Sequence, residues 1–266
     1  MIRPLSELRA GDAGAFGGKA ANLGELISIG MAVPKGYAVR AGATGRAVYA
    51  QLLAIFDALG REAVAVRSSA TVEDSGTASY AGLFHTSLDV RRAGLLPAYE
   101  TCVASADSPR VHAYRAALGA GFAPIRMGVV VQEMLAPELA GVCFTANPAT
   151  RAPGEFLIEV ASGHAEPIVS GRASPDSYLF DEQIGRITSA RRGDSERKES
   201  PGGTHDLLSA ARRRAVTHVA RCAAIVQAHF GRPQDMEFAI QEGAVYILQA
   251  RPIVAGVRPA PRDMGR

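Results

Sequence analysis

The sequence predicts an α+β protein built as two lobes. Three observations carry that expectation. The first half mixes helical apolar periods with a short strand. From Met127 the period changes to that of strands. The chain then closes with its longest amphipathic helix and a hairpin.

The elements follow in order. Residues 17–30, GGKAANLGELISIG, place Leu23, Leu26 and Ile27 on one side of a short helix entered at Gly18 and left at Gly30. Residues 43–59 are rich in Ala and gather Leu52, Ile55, Phe56 and Leu59 on one face, a second helix. EAVAVRSS reads as a strand that runs into a loop of small hydroxyl residues. Residues 95–118 read as helical, broken at Ser108-Pro109. MGVVVQEM is a continuous apolar run, expected to be a strand buried on both faces. LAGVCFTANP, FLIEVAS and SYLFDEQIGRITSA are three further strand units. Residues 189–205 are polar, Gly-, Ser- and Arg-rich, and read as a flexible surface loop. The helix from Asp206, its N-cap or first-turn acid, carries a stripe of Leu208, Ala215, Val219, Cys222, Val226 and Phe230. DMEFAIQEGAVYILQARPI is a hairpin turning at Glu242-Gly243. The lobes expected are 1–126 and 127–256, with 257–266 a tail or linker and a cleft between the lobes.

Bulk properties narrow the function classes. The 266 residues are 47% hydrophobic and 21% charged, which suits a globular chain with a sizeable core. No apolar run approaches the roughly 18 residues that span a membrane, and the N-terminus lacks a secretory signal. The three cysteines form no CxxC pair, so neither a disulfide framework nor a zinc site is expected, and a cytoplasmic setting fits. A net charge of +3 comes with one dense basic run, ARRRA at 211–215, without interleaved aromatics. It reads as a solvated helix face, and no nucleic-acid or membrane partner is expected.

Three polar features point to chemistry. In AVRSSATVEDSGTASYAG, residues 65–82, the small side chains of Ser79, Ala81 and Gly82 let backbone N–H groups approach a phosphate. Arg67, at the strand end, supplies a planar fork of donors suited to phosphate oxygens. Lys19 follows two glycines at a helix start, where a cation is unfavourable unless an anion accompanies it. In the hairpin, Asp235 and Glu237 are two apart and share a face; the turn brings Glu237 toward Gln249, and Arg251 shares the face of Gln249. Carboxylates beside an amide carbonyl suit Mg²⁺, and a nearby Arg would neutralise phosphate charge. Each feature alone also has a plain structural reading: a capped surface loop, a solvated lysine, a hairpin with a polar outer face.

Together, GGKAANLGEL, VPKGYAV, AVRSSATVEDSGTASYAG, AYRAALG, MGVVVQEML, AGVCFTANP, IVSGRASPDSY and DMEFAIQEGAVYILQARPI follow one another as in a known domain. From about residue 11 to 254 the chain resembles the nucleotide-binding domain of phosphoenolpyruvate synthase and pyruvate phosphate dikinase, shared with rifampin phosphotransferase. The resemblance implies an ATP-grasp-like fold with ATP and Mg²⁺ in the interlobe cleft. It implies that Lys19 and Arg67 bind phosphates and that Gly82 lies in the loop over them. Gln132, Glu133 and Met134 would form the hinge strand at adenine, with Gln132 reading the base edge. Thr145 would lie near the phosphates, and Glu166 is retained from the family pattern. Asp235, Glu237 and Gln249 would hold the metal and the ribose–phosphate side, and Arg251 would be the terminal cation.

The resemblance further implies a dikinase-type reaction. One phosphoryl group of ATP goes to water or phosphate. A second goes to a histidine on a swivelling domain, which passes it to an acceptor domain. The motifs of this sequence include neither domain, so both are expected on a separate polypeptide if the chain is naturally split, or beyond this stretch if it is a domain excised from a longer chain. A non-catalytic nucleotide-binding or regulatory subunit, and a direct small-molecule kinase or ligase, are the alternative readings. His205 in GGTH lies upstream of the hairpin, where the family has no phosphocarrier histidine. His164 stands in a segment that departs from the family pattern and reads as a solvated loop residue.

Overall fold

The computed structural model describes residues 1–72, 80, 82–117, 119, 124–150, 152, 154–164, 174–193 and 210–253. The chain forms two compact units, Met1–Met134 and Leu135–Arg266.

The first unit holds a five-stranded antiparallel sheet. Its strands are β1 (Ile2–Pro4), β2 (Gly36–Val39), β3 (Val64–Ala70), β4 (Thr86–Val90) and β5 (Met127–Glu133), in the spatial order β1-β2-β5-β3-β4. The strand β5 was expected to open the second lobe. Instead it lies at the centre of the first sheet, so the units divide after Met134 rather than after residue 126. Its continuous apolar run has the cause foreseen, burial on both faces.

The helices cover the two sheet faces. On one face Val39, Val64, Val66, Val129 and Val131 pack with α3 (Arg46–Leu59) and α4 (Leu95–Ala104). Val48, Leu52 and Phe56 of α3 recur every four residues, and Gly60 ends that helix in the left-handed conformation. Strand alternation sends Ala65, Arg67 and Ser69 to the opposite face, and with them Gln132. There the short helix α1 (Ala13–Phe16) leads into α2 (Gly18–Ser28), whose Ala20 N–H donates to Ser69 Oγ at 3.0 Å. The broken helical stretch near residue 108 is α4 followed by α5 (Pro109–Ala117).

The second unit holds a six-stranded antiparallel sheet. Strands β6 (Leu139–Phe144), β7 (Glu155–Ser162), β8 (Asp176–Asp181), β9 (Arg186–Arg191), β10 (Gln234–Gln241) and β11 (Ala244–Pro252) take the order β11-β10-β6-β7-β8-β9. Alternation is strict along β7, where Phe156, Ile158 and Val160 turn inward. The long helix α6 is described over Ala210–Phe230. Its buried stripe runs through Val216, Val219, Ala220, Cys222, Ala223 and Val226, so Ala215 lies to one side of it. The arginine run is not a single solvated face either. Arg212 is buried and pairs at 2.9 Å with the buried Asp176 of β8, whose other oxygen accepts from Gly193 N–H. Among the described residues, no helix is long and apolar enough to cross a membrane.

Buried thiols and one phenol give the fold an alkaline limit. Burial pushes the Tyr99 hydroxyl up to about 12, and burial does the same to the Cys102 thiol, with the Lys19 charge opposing it. Burial raises Cys143 and Cys222 as well. The unfolded chain would release these protons near pH 8.5 for Cys and about 10 for Tyr, while the folded chain keeps them. Stability is therefore full below pH about 8.5 and falls as pH rises toward 12. Thermal melts between pH 8 and 11 should show this decline, and Cys102→Ala should flatten it. A midpoint independent of pH over that range would contradict the assignment.

Candidate functional site

The first unit assembles a cationic set. Gly17 ends α1 and precedes α2 at φ 88°, ψ 158°, a conformation open essentially to glycine alone. A methyl group there would stand 2.0 Å from the Ser69 carbonyl oxygen. The same Ser69 caps α2 through Ala20 N–H, so helix and strand are locked at one point. Lys19, one residue before that cap, is only 8% exposed. Among the described residues no hydrogen bond or ion pair reaches its ammonium. Arg67 is half-buried on β3, two residues from Ser69 and on the same sheet face. Lys19 and Arg67, far apart in the chain, are thus brought to one side of one sheet.

The expected hinge residues are placed differently from one another. Gln132 is buried, and its Nε2 donates to the Pro34 carbonyl at 3.1 Å. Its amide therefore anchors the segment before β2, a task the sequence reading missed. Glu133 meets Arg61 at 3.5 Å, and its N–H donates to the Lys35 carbonyl. Met134 closes the unit. Gly82 is exposed at φ 66°. The buried Tyr80 beside it stacks on Phe84 and meets Tyr114 edge-on. Ser79, Glu166 and His205 lie outside the described residues, and His164 is exposed.

The second unit assembles an oxygen-rich set on its hairpin. Glu242 and Gly243 both take positive φ, which matches the twist of a two-residue turn. From the turn the pairing runs Gln241↔Ala244 to Phe238↔Ile247, then shifts to Glu237↔Gln249 and Asp235↔Arg251. Leu248 is the extra residue of a β-bulge. The bulge decides which side chains meet. Without it, Glu237 would face Leu248, and Gln249 and Arg251 would pass to the other face. With it, Asp235, Glu237, Gln249 and Arg251 share a face, while Met236 and Phe238 are buried on the other. Arg251 donates from Nε at 2.9 Å and from Nη2 at 2.6 Å to Asp235 Oδ2.

Neighbouring strands complete this surface. Thr145 is buried; its Oγ1 accepts from Gln234 N–H at 2.8 Å, which ties the end of β6 to the start of the hairpin. Asn147, just beyond, donates to Glu155 at 2.6 Å and accepts from Ala149 N–H, so it shapes the turn after β6. Glu159 stands in register across Val142 from Glu237, on the same face. The alternation of FLIEVAS was the signal that could have found it. Glu237 and Gln249 supply hard oxygen donors that fit Mg²⁺, whose remaining ligands would be water and phosphate oxygens.

Comparison with known proteins gives the family. Residues 45–262 match the family Pyruvate phosphate dikinase, AMP/ATP-binding domain. The chain is 32% identical over 310 aligned residues to a probable phosphoenolpyruvate synthase of Methanothermobacter thermautotrophicus, covering 94% of this chain and 45% of that protein. It is 33% identical over 274 residues to a rifampicin phosphotransferase of a Streptomyces species, covering 99% of this chain and 30% of that protein. The chain belongs to the pyruvate phosphate dikinase AMP/ATP-binding domain family, and its fold is α+β. It spans less than half the length of both relatives. Among solved structures, PH1788 of Pyrococcus horikoshii matches at a TM-score of 0.51 and 13% identity, over 94% of this chain and 96% of that one, a likeness of fold alone.

Proposed function

We propose that this chain is the Mg-ATP-binding module of a dikinase-type phosphotransferase. The observation that carries the reading is Lys19, a residue only 8% exposed at the start of α2, with no partner for its ammonium among the described residues. A buried cation near the positive end of a helix is costly, and an anion offsets that cost. A triphosphate is the anion that the family relation suggests. In this reading Lys19 and Arg67 meet phosphate oxygens, and their donors are set in place before the nucleotide arrives. Glu237 and Gln249 hold Mg²⁺, which supplies charge neutralisation on the phosphates. Arg251 adds a further cation to the transferring groups. The module's task is to orient the phosphoryl group and screen its charge, with no covalent step on its own side chains.

The shares of the relatives' lengths support a division of labour. In this reading the phosphoryl group passes to a histidine on a swivelling domain, on another domain or chain, and from there to an acceptor domain. The test is nucleotide binding and product analysis on the purified chain, first with Mg-ATP alone and then with an isolated phosphohistidine domain from a relative. We expect Mg-ATP to bind, and AMP with phosphate to appear only when the partner domain is added. Binding without AMP under any condition would favour a regulatory subunit, and a phosphorylated small product without a partner would favour a direct kinase. Failure to bind ATP at all would sink the proposal. Within the same assay, Glu237→Gln should raise the Mg²⁺ concentration needed for ATP binding by about tenfold or more. An unchanged Mg²⁺ requirement would remove Glu237 as a ligand.

A further inference from the structure

We propose that Asp235 is a positioning residue for Arg251 and not a ligand of the metal. The inference rests on the Mg-ATP reading above and reassigns one residue within it.

Three observations lead there. Asp235 and Arg251 are direct cross-strand partners, so backbone pairing holds them face to face. Two donors of the guanidinium, Nε and Nη2, converge on the single oxygen Oδ2, at 2.9 and 2.6 Å. Both side chains are largely withdrawn from water, at 14% exposure for Asp235 and 24% for Arg251. A carboxylate oxygen that accepts two charge-assisted hydrogen bonds has both lone pairs engaged. Its negative charge is already countered by a cation in contact, so a dication would meet a neutralised carboxylate with a guanidinium beside it. The neighbouring Glu237–Gln249 pair puts two oxygen-bearing side chains opposite each other.

The Asp235 contact in turn fixes Arg251. An unpaired arginine side chain samples many rotamers, and immobilising it on phosphate costs entropy. Holding it through Nε and Nη2 sets the plane of the guanidinium before the nucleotide arrives. The bulge at Leu248 is what makes this possible, because the unbulged register would set Asp235 opposite Ala250.

The experiment compares Asp235→Asn, Arg251→Lys, the double variant and Glu237→Gln by calorimetric titration with ATP across a range of Mg²⁺ concentrations. Asp235→Asn and Arg251→Lys should each weaken Mg-ATP binding about tenfold, and the double variant should be no worse than either. The Mg²⁺ concentration at half-saturation should stay at the wild-type value in both single variants and rise only in Glu237→Gln. A second measurement needs no nucleotide. The Arg251 Nε–H resonance in a ¹⁵N spectrum should be slow to exchange in the wild type and lost in Asp235→Asn while the amide spectrum is retained. If Asp235→Asn raises the Mg²⁺ requirement as Glu237→Gln does, or if the two effects multiply to about a hundredfold, the positioning role is overturned and Asp235 is a ligand. If Asp235→Asn does not fold, Asp235→Ser with the same titration decides in the same way. Failure of the wild type to bind Mg-ATP would instead overturn the underlying reading.

Discussion

Lys19→Met should lower Mg-ATP affinity about a hundredfold and at the same time stabilise the nucleotide-free protein by about 1–2 kcal/mol. The two effects have one source. Lys19 is 8% exposed at the first turn of α2, and among the described residues nothing pairs with its ammonium. Folding without nucleotide withdraws most of the side chain from water and sets its charge against the positive end of a helix. Methionine has a similar shape, keeps the packing and carries no charge to desolvate. In the proposed reading ATP reverses the balance, because phosphate oxygens would then supply the partner. The comparison needs a thermal melt with and without Mg-ATP for both proteins. A variant destabilised in both states would mean that Lys19 is a packing residue. A variant with undiminished ATP affinity would remove Lys19 from the phosphate site. The trade of stability for function is expected where a site is built ahead of its ligand.

Gly17→Ala should cost about 3 kcal/mol or more in the stability of the first unit, a drop of about 10 °C in its melting midpoint. Two penalties combine. The φ of 88° with ψ of 158° is closed to residues with a Cβ, and the added methyl would lie 2.0 Å from the Ser69 carbonyl oxygen and 2.3 Å from its hydroxyl. Backbone cannot give way by that much without parting α2 from β3. Two comparisons isolate the effect. Ser69→Ala removes only the cap on Ala20 N–H and should cost about 1 kcal/mol. Gly14→Ala, where a methyl meets nothing within 4 Å, should be neutral or stabilising. If Gly17→Ala behaves like Gly14→Ala, the junction of α2 and β3 is looser than described. If it folds with reduced stability, its ATP affinity should fall as well, because Lys19 is placed by that junction.

Much of the fold was legible because its signals are local. The apolar run MGVVVQE announces a buried strand, the alternation of FLIEVAS a half-buried one, and Glu242-Gly243 between alternating runs a hairpin. What failed was partner choice. Nothing within MGVVVQE says that it pairs with β2 and β3, and so the unit boundary was placed before β5 instead of after Met134. The strands β1, β2 and β4 are three to five residues long, too short for a period to emerge.

The candidate site divides the same way. Lys19, Arg67, Glu237 and Gln249 were singled out as candidates from residue type and spacing. Asn147, Gln132 toward Pro34, and Arg212 with Asp176 were missed in their roles because each contact joins distant segments or a turn with no regular period. The Asp235–Arg251 contact was hidden for a different reason. Counting outward from the turn gives a register that sets Asp235 against Ala250, and only the bulge corrects it.

That bulge gives the hairpin a parity. Between the turn and the polar set, one strand has six residues from Ala244 to Gln249 and the other five from Gln241 to Glu237, and this difference of one keeps charge on one side of the sheet. Lengths in this arm can therefore change only in steps that preserve the odd difference. Two residues added across from each other merely lengthen the arm. One residue removed at Leu248 would turn Gln249 and Arg251 through the sheet, toward the layer of Met236 and Phe238. Chains of this kind can thus be sorted by the arithmetic of one hairpin: a copy with equal arms would no longer gather this polar set on one face even if every polar residue were still spelled out in its sequence.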